Sequence, residues 1–497
     1  MKPSVVVLST IAIFGLLWLG KISIGKLSGK RKHEWKQAKQ IHQTAPDYLT
    51  VTDQGSHEIT DVKNPGGALI QAVGDGENDD TSAIQAILDQ AAGSTHNKVF
   101  FPPGEYLISR DIVIQNSVEL HGTEIGIAVI KASTPYARKL YNALPVQSVI
   151  LKNLYLDGIL VNFDGGNNAK PTKNITVFNC VFFSTASPSA NNLSDGQLTF
   201  RRLRDGAVDK CIFLRGPHAF GVASKFFRTK RVQIRNNVFG LDLSKVDWLS
   251  TELEPGQHWT EQKQKLQFLQ NSYHLADDQG FFKCSLYDAY DEEMRISQNV
   301  FNGSPNTGSL HKDHAMYLKG FDGVEVAANY VRGWPADPSG GIKARNGKNL
   351  IIARNYIDDT GILLYTHDPH DTRLHHGLEN VVTYGNHIVQ RSNPGHRASG
   401  ISYYERHFTG VDKNLTYSAN QFEIVDVSDP TSYTCIWLTN GDLSHHHVYK
   451  DNVYYGTTTK VKLQARHETP SFETGNIDVS ITSRYSYPVY ELNIPPY

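Results

Sequence analysis

The sequence predicts an all-β chain wound as a parallel solenoid, with a helix covering its first coil. Three observations carry that expectation. A short pattern recurs about every 30 residues, each copy alternates apolar and polar side chains, and the composition favours short strands and turns.

The repeat is explicit. Val232-Gln-Ile-Arg-Asn-Asn-Val-Phe239 returns as Met294-Arg-Ile-Ser-Gln-Asn-Val-Phe301 and as Val324-Glu-Val-Ala-Ala-Asn-Tyr-Val331. Leu350-Ile-Ile-Ala-Arg-Asn-Tyr-Ile357 and Val381-Val-Thr-Tyr-Gly-Asn-His-Ile388 follow the same form. Weaker copies centre on Asn153, Asn271, Asn420 and Asn452, and Cys180 and Cys211 take the asparagine's place in two more. Period-2 alternation means short half-buried strands. Asparagine tolerates the left-handed backbone of a tight corner, and its amide can bond the asparagine one coil away. Strand, corner, strand and loop at this spacing make a parallel β-solenoid with Ile234, Ile296, Val326 and Ile352 stacked inside.

Composition agrees and narrows the class. Lys plus Arg (49) nearly cancels Asp plus Glu (50), for a net charge of -1, which argues against a nucleic-acid partner. Hydrophobic residues make up 39%, while Gly (40), Tyr (24) and Phe (21) are plentiful. The four cysteines contain no CxxC pair and are expected as reduced core residues, with Cys180 and Cys211 the pair to test in an oxidising compartment.

Residues 1–32 read as a signal peptide or membrane anchor with a basic flank. Val5 to Leu19 is apolar apart from Ser9, Thr10 and Gly15, too short for the roughly 20 residues of a spanning helix. Lys21, Lys26, Lys30, Arg31 and Lys32 follow, and the positive-inside rule favours keeping that flank cytoplasmic. Residues 33–65 read as a polar linker, 66–455 as the solenoid and 456–497 as a closing tail. Within 66–455, Asp79-Asp80-Thr81 caps a helix whose apolar face is Ala83, Ile84, Ile87, Leu88 and Ala91. The segment from Asp242 to Lys265, with Trp248 and Trp259, interrupts the repeat and serves either to wall a groove or to cover an edge.

Gly74-Asp-Gly-Glu-Asn-Asp-Asp-Thr-Ser-Ala-Ile-Gln85 and Val99-Phe-Phe-Pro-Pro-Gly-Glu-Tyr106 resemble the opening of the pectate-lyase-like right-handed β-helix superfamily. The resemblance implies a right-handed coil and an exported, periplasmic or extracellular, carbohydrate-active enzyme, held to the membrane only through its N-terminal segment. A monomer is expected.

Matching the asparagines sets His314-Ala-Met-Tyr-Leu-Lys319 over Gly340-Gly-Ile-Lys-Ala-Arg345, then Ile362 to His367, then Ile401 to Arg406. The outward side chains then form two columns, Tyr317, Lys343, Tyr365, Tyr404 and Lys319, Arg345, His367, Arg406. Stacked cations on a neutral protein suit an anionic ligand, such as a polymer with one carboxylate per sugar. The plain alternative is a solvated face whose counter-charge comes from Asp358, Asp359 and Asp368.

Asp368-Pro-His-Asp371, three residues after Tyr365, resembles the catalytic motif of mannuronan C5-epimerases. That resemblance implies catalytic roles for Tyr365, His370 and Asp368, with Lys343 as the lysine from an earlier coil. The chemistry stands beside it: a uronate C5 proton is weakly acidic, so the carboxylate must be neutralised while a base acts. A tyrosine or lysine among cations gives up its proton more readily. In lyases of this superfamily the base is lysine or arginine, for which Arg345 and Lys319 qualify. Lysis by β-elimination is therefore the first expectation and C5 epimerisation the alternative. His314, Tyr317, Lys319, His367, Asp371, Tyr404 and Arg406 are the expected substrate-binding set. No acidic cluster has calcium-ligand spacing, so no cofactor is expected, with Ca²⁺ weakly supported. Asp277-Asp278, His314 and Ile342-Lys343 loosely resemble the polygalacturonase order, which keeps hydrolysis open. A non-catalytic glycan-binding face is the remaining reading.

Overall fold

The computed structural model describes residues 59–63, 71–92, 97–123, 126–166, 171–185, 196–215, 221–241, 257–273, 282, 284–303, 314–334, 341–367, 375–391, 398–406, 412–425, 433–439, 447–455, 459–464, 472–474 and 477–479. Its strands fall into three parallel sheets of 14, 14 and 12 strands, and within each sheet a strand pairs with those one coil before and after. The chain is a right-handed parallel β-helix, each coil but the first and last laying one strand in the first, the second and then the third sheet. Stacking runs from Ile59–Asp61 to Ile477–Val479, past both ends of the span expected for the solenoid.

Helix α1 (Thr81–Ala92) covers the first coil as expected. The Asp80 carboxylate accepts the Val73 and Gly74 N–H groups at 2.6 and 3.1 Å, and Asp79 accepts the Thr81 N–H at 3.1 Å. Ala83, Ile84, Ile87, Leu88 and Ala91 are buried against the first coils.

The asparagine ladder is present, with a division of labour the sequence reading merged. Asn237, Asn299, Asn329, Asn355, Asn386, Asn420 and Asn452 are all 0–1% exposed. From Asn299 onward each Oδ1 accepts both the backbone N–H and the Nδ2 of the asparagine one coil earlier, as Asn329 does from Asn299 at 3.0 and 2.9 Å. Each Nδ2 also reaches a strand carbonyl, Ile296 for Asn329 at 2.9 Å. The left-handed corner belongs instead to the preceding residue: Asn236 (φ 57°), Gln298 (56°), Ala328 (54°) and Arg354 (54°). Cys211 continues the ladder, its N–H donating to Asn237 Oδ1 at 2.8 Å, and all four cysteines are free and buried. Replacing Asn329 with alanine orphans the Asn299 donors and the Ile296 carbonyl. A loss of about 2 kcal/mol in denaturant unfolding is expected, and an unchanged midpoint would show the ladder to be ornamental.

Inside the coil, Phe182, Phe213, Phe239 and Phe301 stack at centroid spacings of 4.6, 4.8 and 4.7 Å. One acid intrudes: Asp288 lies in register with Phe226 and Leu318, both core residues, and is 0% exposed. Burial raises its carboxyl and that of the equally buried Asp291, and neither Asp288 oxygen has a hydrogen-bond partner among the described residues.

Asn271, read as a repeat centre, falls in helix α2 (Gln257–Tyr273). Trp259, Leu266 and Leu269 of this helix join Val181, Phe183, Ile212, Val238 and Val300 in one apolar cluster on the outer face of the second sheet. Trp259 therefore covers a sheet and does not wall the third-sheet face, while Trp248 lies outside the described residues.

Candidate active site on the third sheet

The third sheet presents the candidate residues on the face the alternation predicts. Met316, Leu318, Ile342, Ala344, Ile362 and Leu364 are buried in the core, which leaves Tyr317, Lys319, Lys343, Arg345, Tyr365 and His367 pointing outward and half-buried.

The register differs from the expectation by two residues. Lys343 pairs with Leu363, and Arg345 pairs with Tyr365. The columns are thus Tyr317, Lys343, Leu363, Ser402 and Lys319, Arg345, Tyr365, Tyr404, with His367 opposite Arg406 one position further. The cause is the varying connection into the third sheet. Only Asp359 and Thr360 separate Asp358 from Gly361, whereas residues 333–340 lie between Arg332 and Gly341. A slip of two keeps every side chain on its own face, so the facing survives the error.

Lys343 sits diagonally between two rings. Its Nζ is 4.8 Å from the Tyr317 centroid and 5.1 Å from that of Tyr365. Arg345 places its guanidinium carbon 5.7 Å from the Tyr365 centroid and donates from Nη1 to the Tyr317 hydroxyl at 3.5 Å. The Arg345 Nε is buried and has no hydrogen-bond partner among the described residues. Tyr365 stacks on Tyr404 at 5.6 Å and 4° and lies 5.9 Å from the His367 ring.

Other expected residues fall into different places. Lys319 leans toward the preceding corner, its Nζ 5.8 Å over Tyr290. His314 is 1% exposed and meets the Tyr317 ring edge-on at 5.5 Å, so it backs that tyrosine and offers little surface to a polymer. Asp368, His370, Asp371, Asp277, Asp278 and the Arg406 side chain lie outside the described residues. Asp358 does not supply counter-charge here: it is buried at the second sheet, where Arg391 Nε reaches it at 2.9 Å and the Tyr330 hydroxyl at 3.1 Å. Asp359 is likewise engaged, by the Arg391 N–H at 2.6 Å.

Two supporting residues escaped the sequence reading. Fully buried Asn346 accepts the His367 N–H at 3.0 Å and donates to its carbonyl at 2.8 Å, clamping that backbone from both sides. Asn142 does the same to Asp164 in an earlier coil, at 2.8 and 2.7 Å. Asp412, 2% exposed, accepts the Thr366 hydroxyl at 3.0 Å and also the Tyr403 hydroxyl. It thereby fastens from beneath the strands that carry Tyr365 and Tyr404. Burial, reinforced by Asp412, pushes the Tyr403 phenol well above its usual range, so Tyr403 stays a neutral donor. Among the described residues, no group of three or more His, Cys, Asp or Glu side chains is placed to hold a metal ion. No helix of the described residues is long and apolar enough to cross a membrane, and residues 1–32 lie outside them.

A family profile described as rhamnogalacturonase A/epimerase, pectate lyase-like, matches residues 70–254. The mannuronan C5-epimerase AlgE6 of Azotobacter vinelandii is 37% identical over 76 residues, a match spanning 14% of this chain and 9% of that relative. Among solved structures, a tailspike double mutant of Escherichia coli bacteriophage HK620 in complex with a pentasaccharide has a TM-score of 0.51 at 12% identity, covering 85% of this chain and 67% of that one. The A-module of the Azotobacter vinelandii mannuronan C-5 epimerase AlgE4 has a TM-score of 0.49 at 14% identity, covering 83% and 99%. With its three parallel sheets wound into one coil behind a capping helix, the chain has the right-handed parallel β-helix fold, and its residues 70–254 match the pectate-lyase-like family profile.

Proposed function

We propose that the protein acts on an acidic polysaccharide at C5 of a uronate, and that it epimerises this carbon. The observation that carries the reading is Lys343, held at 4.8 and 5.1 Å between Tyr317 and Tyr365 beside an Arg345 whose buried Nε has no partner. A buried donor without an acceptor is what a site built for a carboxylate presents before the ligand arrives. Lys343 and Arg345 neutralise the uronate carboxylate, and charge developing on C5 as the proton leaves is spread into that neutralised group. The hydroxyl of Tyr365, whose ring lies against both cations, carries the proton on one face of the sugar ring.

Epimerisation needs a second proton carrier on the other face. In the sequence, Asp368-Pro-His-Asp371 follows His367, whose backbone Asn346 clamps, and we assign that role to His370 with Asp368. The stretch 37% identical to a mannuronan C5-epimerase supports this outcome over elimination. Elimination shares the first step and differs only in expelling the C4 oxygen. A polymer of this kind is met outside the cytoplasm, so the proposal carries with it an exported β-helix.

The test incubates the protein with polymannuronate, polygalacturonate and glycosaminoglycans in deuterated water. Inverted C5 with deuterium in intact chains is the expected result. Ultraviolet absorbance from an unsaturated uronate would make the enzyme a lyase, and shortened chains without that absorbance a hydrolase. Intact polymer free of deuterium would leave only binding, and the proposal would fall.

A further inference from the structure

Asp412 gathers three stretches of chain beneath the candidate site. Its buried carboxylate accepts the Leu378 N–H at 2.5 Å, the Thr366 hydroxyl at 3.0 Å and the Tyr403 hydroxyl, which also lies 3.3 Å from Glu405. Leu378 opens the first-sheet strand Leu378–Tyr384, whereas Thr366 and Tyr403 belong to third-sheet strands of successive coils. A buried carboxylate is costly unless such donors meet it, so losing any one of them leaves an acceptor unmet.

Thr366 and Tyr403 point into the core, and each has an outward neighbour in the site, Tyr365 and Tyr404. Asn346 holds the next residue, His367, by its N–H and its carbonyl. The two residues after Tyr365 are therefore fixed from opposite directions along the stack, His367 from the coil before and Thr366 from the coil after.

A comparison inside the same core shows what the junction requires. Asp288, Leu318, Ala344, Leu364 and Tyr403 share one inward column. In the corner after Asp288, Asp291 reaches back one coil to the Thr229 N–H, as Asp412 does to that of Leu378. There the facing side chain is a second carboxyl whose oxygens have no hydrogen-bond partner among the described residues. At Asp412 it is a phenol that donates to the acid, and a threonine hydroxyl from the Tyr365 strand joins it. The tie is thus completed at the coils that carry Tyr365 and Tyr404.

Resting on the reading of Tyr365 as the proton carrier, we infer that Asp412 is a positioning residue for that tyrosine and acts through the Thr366 hydroxyl. The tie sets the height of the strand end against Lys343 and Arg345, so that the phenol meets the sugar in one place. A misplacement of about 1 Å can cost about 100-fold in rate, so the tie bears on turnover and leaves the carboxylate contacts of the bound sugar as they are.

The isotope-exchange assay above tests this with Thr366→Val, which removes the hydroxyl and keeps the shape, and with Thr366→Ser, which restores it. Thr366→Val is expected to lower kcat about ten- to hundred-fold with KM unchanged, and Thr366→Ser to recover most of it. Asn329→Ala, which loosens the ladder and leaves the tie intact, should keep the parental kcat well below its unfolding midpoint. In the Tyr365→Phe background Thr366→Val should lower kcat no further, since both act on one group. Parental kcat in Thr366→Val, an equal fall in both backgrounds, or the same fall in Asn329→Ala overturns the role of Asp412 and leaves Tyr365 standing. Full turnover in Tyr365→Phe, or no exchange by the parent, overturns the reading of the site and this inference together.

Discussion

Changing Tyr365 to phenylalanine is expected to cut turnover about 100- to 10,000-fold, the range typical of losing a positioned proton carrier. The substitution is informative because it spares the packing. The ring still stacks on Tyr404 at 5.6 Å and still faces the Lys343 ammonium at 5.1 Å, so neither the fold nor the cation pair is disturbed. Only the hydroxyl goes. The loss should therefore fall on kcat, with KM and the thermal midpoint close to those of the parent. Lys343→Gln should lower kcat and raise KM together, since it removes charge from both the bound and the reacting uronate. Full activity in Tyr365→Phe would move the proton to another group and leave Tyr365 as a stacking surface.

The second large effect concerns stability and has an unusual sign. Burial pushes the Asp288 carboxyl up from 3.8 to about 6, and burial together with Asp288 pushes Asp291 higher still. A raised carboxyl in the folded state means that the native chain binds more protons than the unfolded one above about pH 4. The contribution of Asp288 is therefore fully present below the unfolded value and is lost as pH rises through about 6. Two pKa steps correspond to about 3 kcal/mol. Asp288→Asn should gain roughly that much at pH ~8 and nothing at pH ~4, read as denaturant midpoints at the two values. Parallel shifts at both would mean that the pair is not titrating.

Much of this was legible in the amino-acid string, for a physical reason. A strand's inside-out alternation is local, so the outward placement of Lys343, Arg345 and Tyr365 needs nothing but their own neighbours. The ladder was legible too, because Asn299, Asn329 and Asn355 each do one job that only an amide performs. Register was not local. It depends on how many residues enter the third sheet, and Asp359-Thr360 are far fewer than the connection before Gly341, so alignment by asparagine slipped by two. The corner misled in another way. Its left-handed residue is Gln298, Ala328 or Arg354 by turns, held there by the coils on either side, and leaves no signature. Asp412 is a single acid beyond a variable segment, and nothing in its surroundings in the chain says that it ties down Thr366 and Tyr403.

Helix α2 has a mechanical consequence. A stack in which each coil grips only its neighbours gives way one rung at a time under tension. Between Val129 and Tyr330, however, the second sheet is bound along its outer side into one apolar cluster with Trp259, Leu266 and Leu269, like a splint laid across several rungs. Pulled from its ends, this stretch would resist as a block and then fail at once, while coils beyond Tyr330 would peel singly. The strands that carry Lys343, Tyr365 and Tyr404 follow that block, so the candidate site begins just where the splint ends.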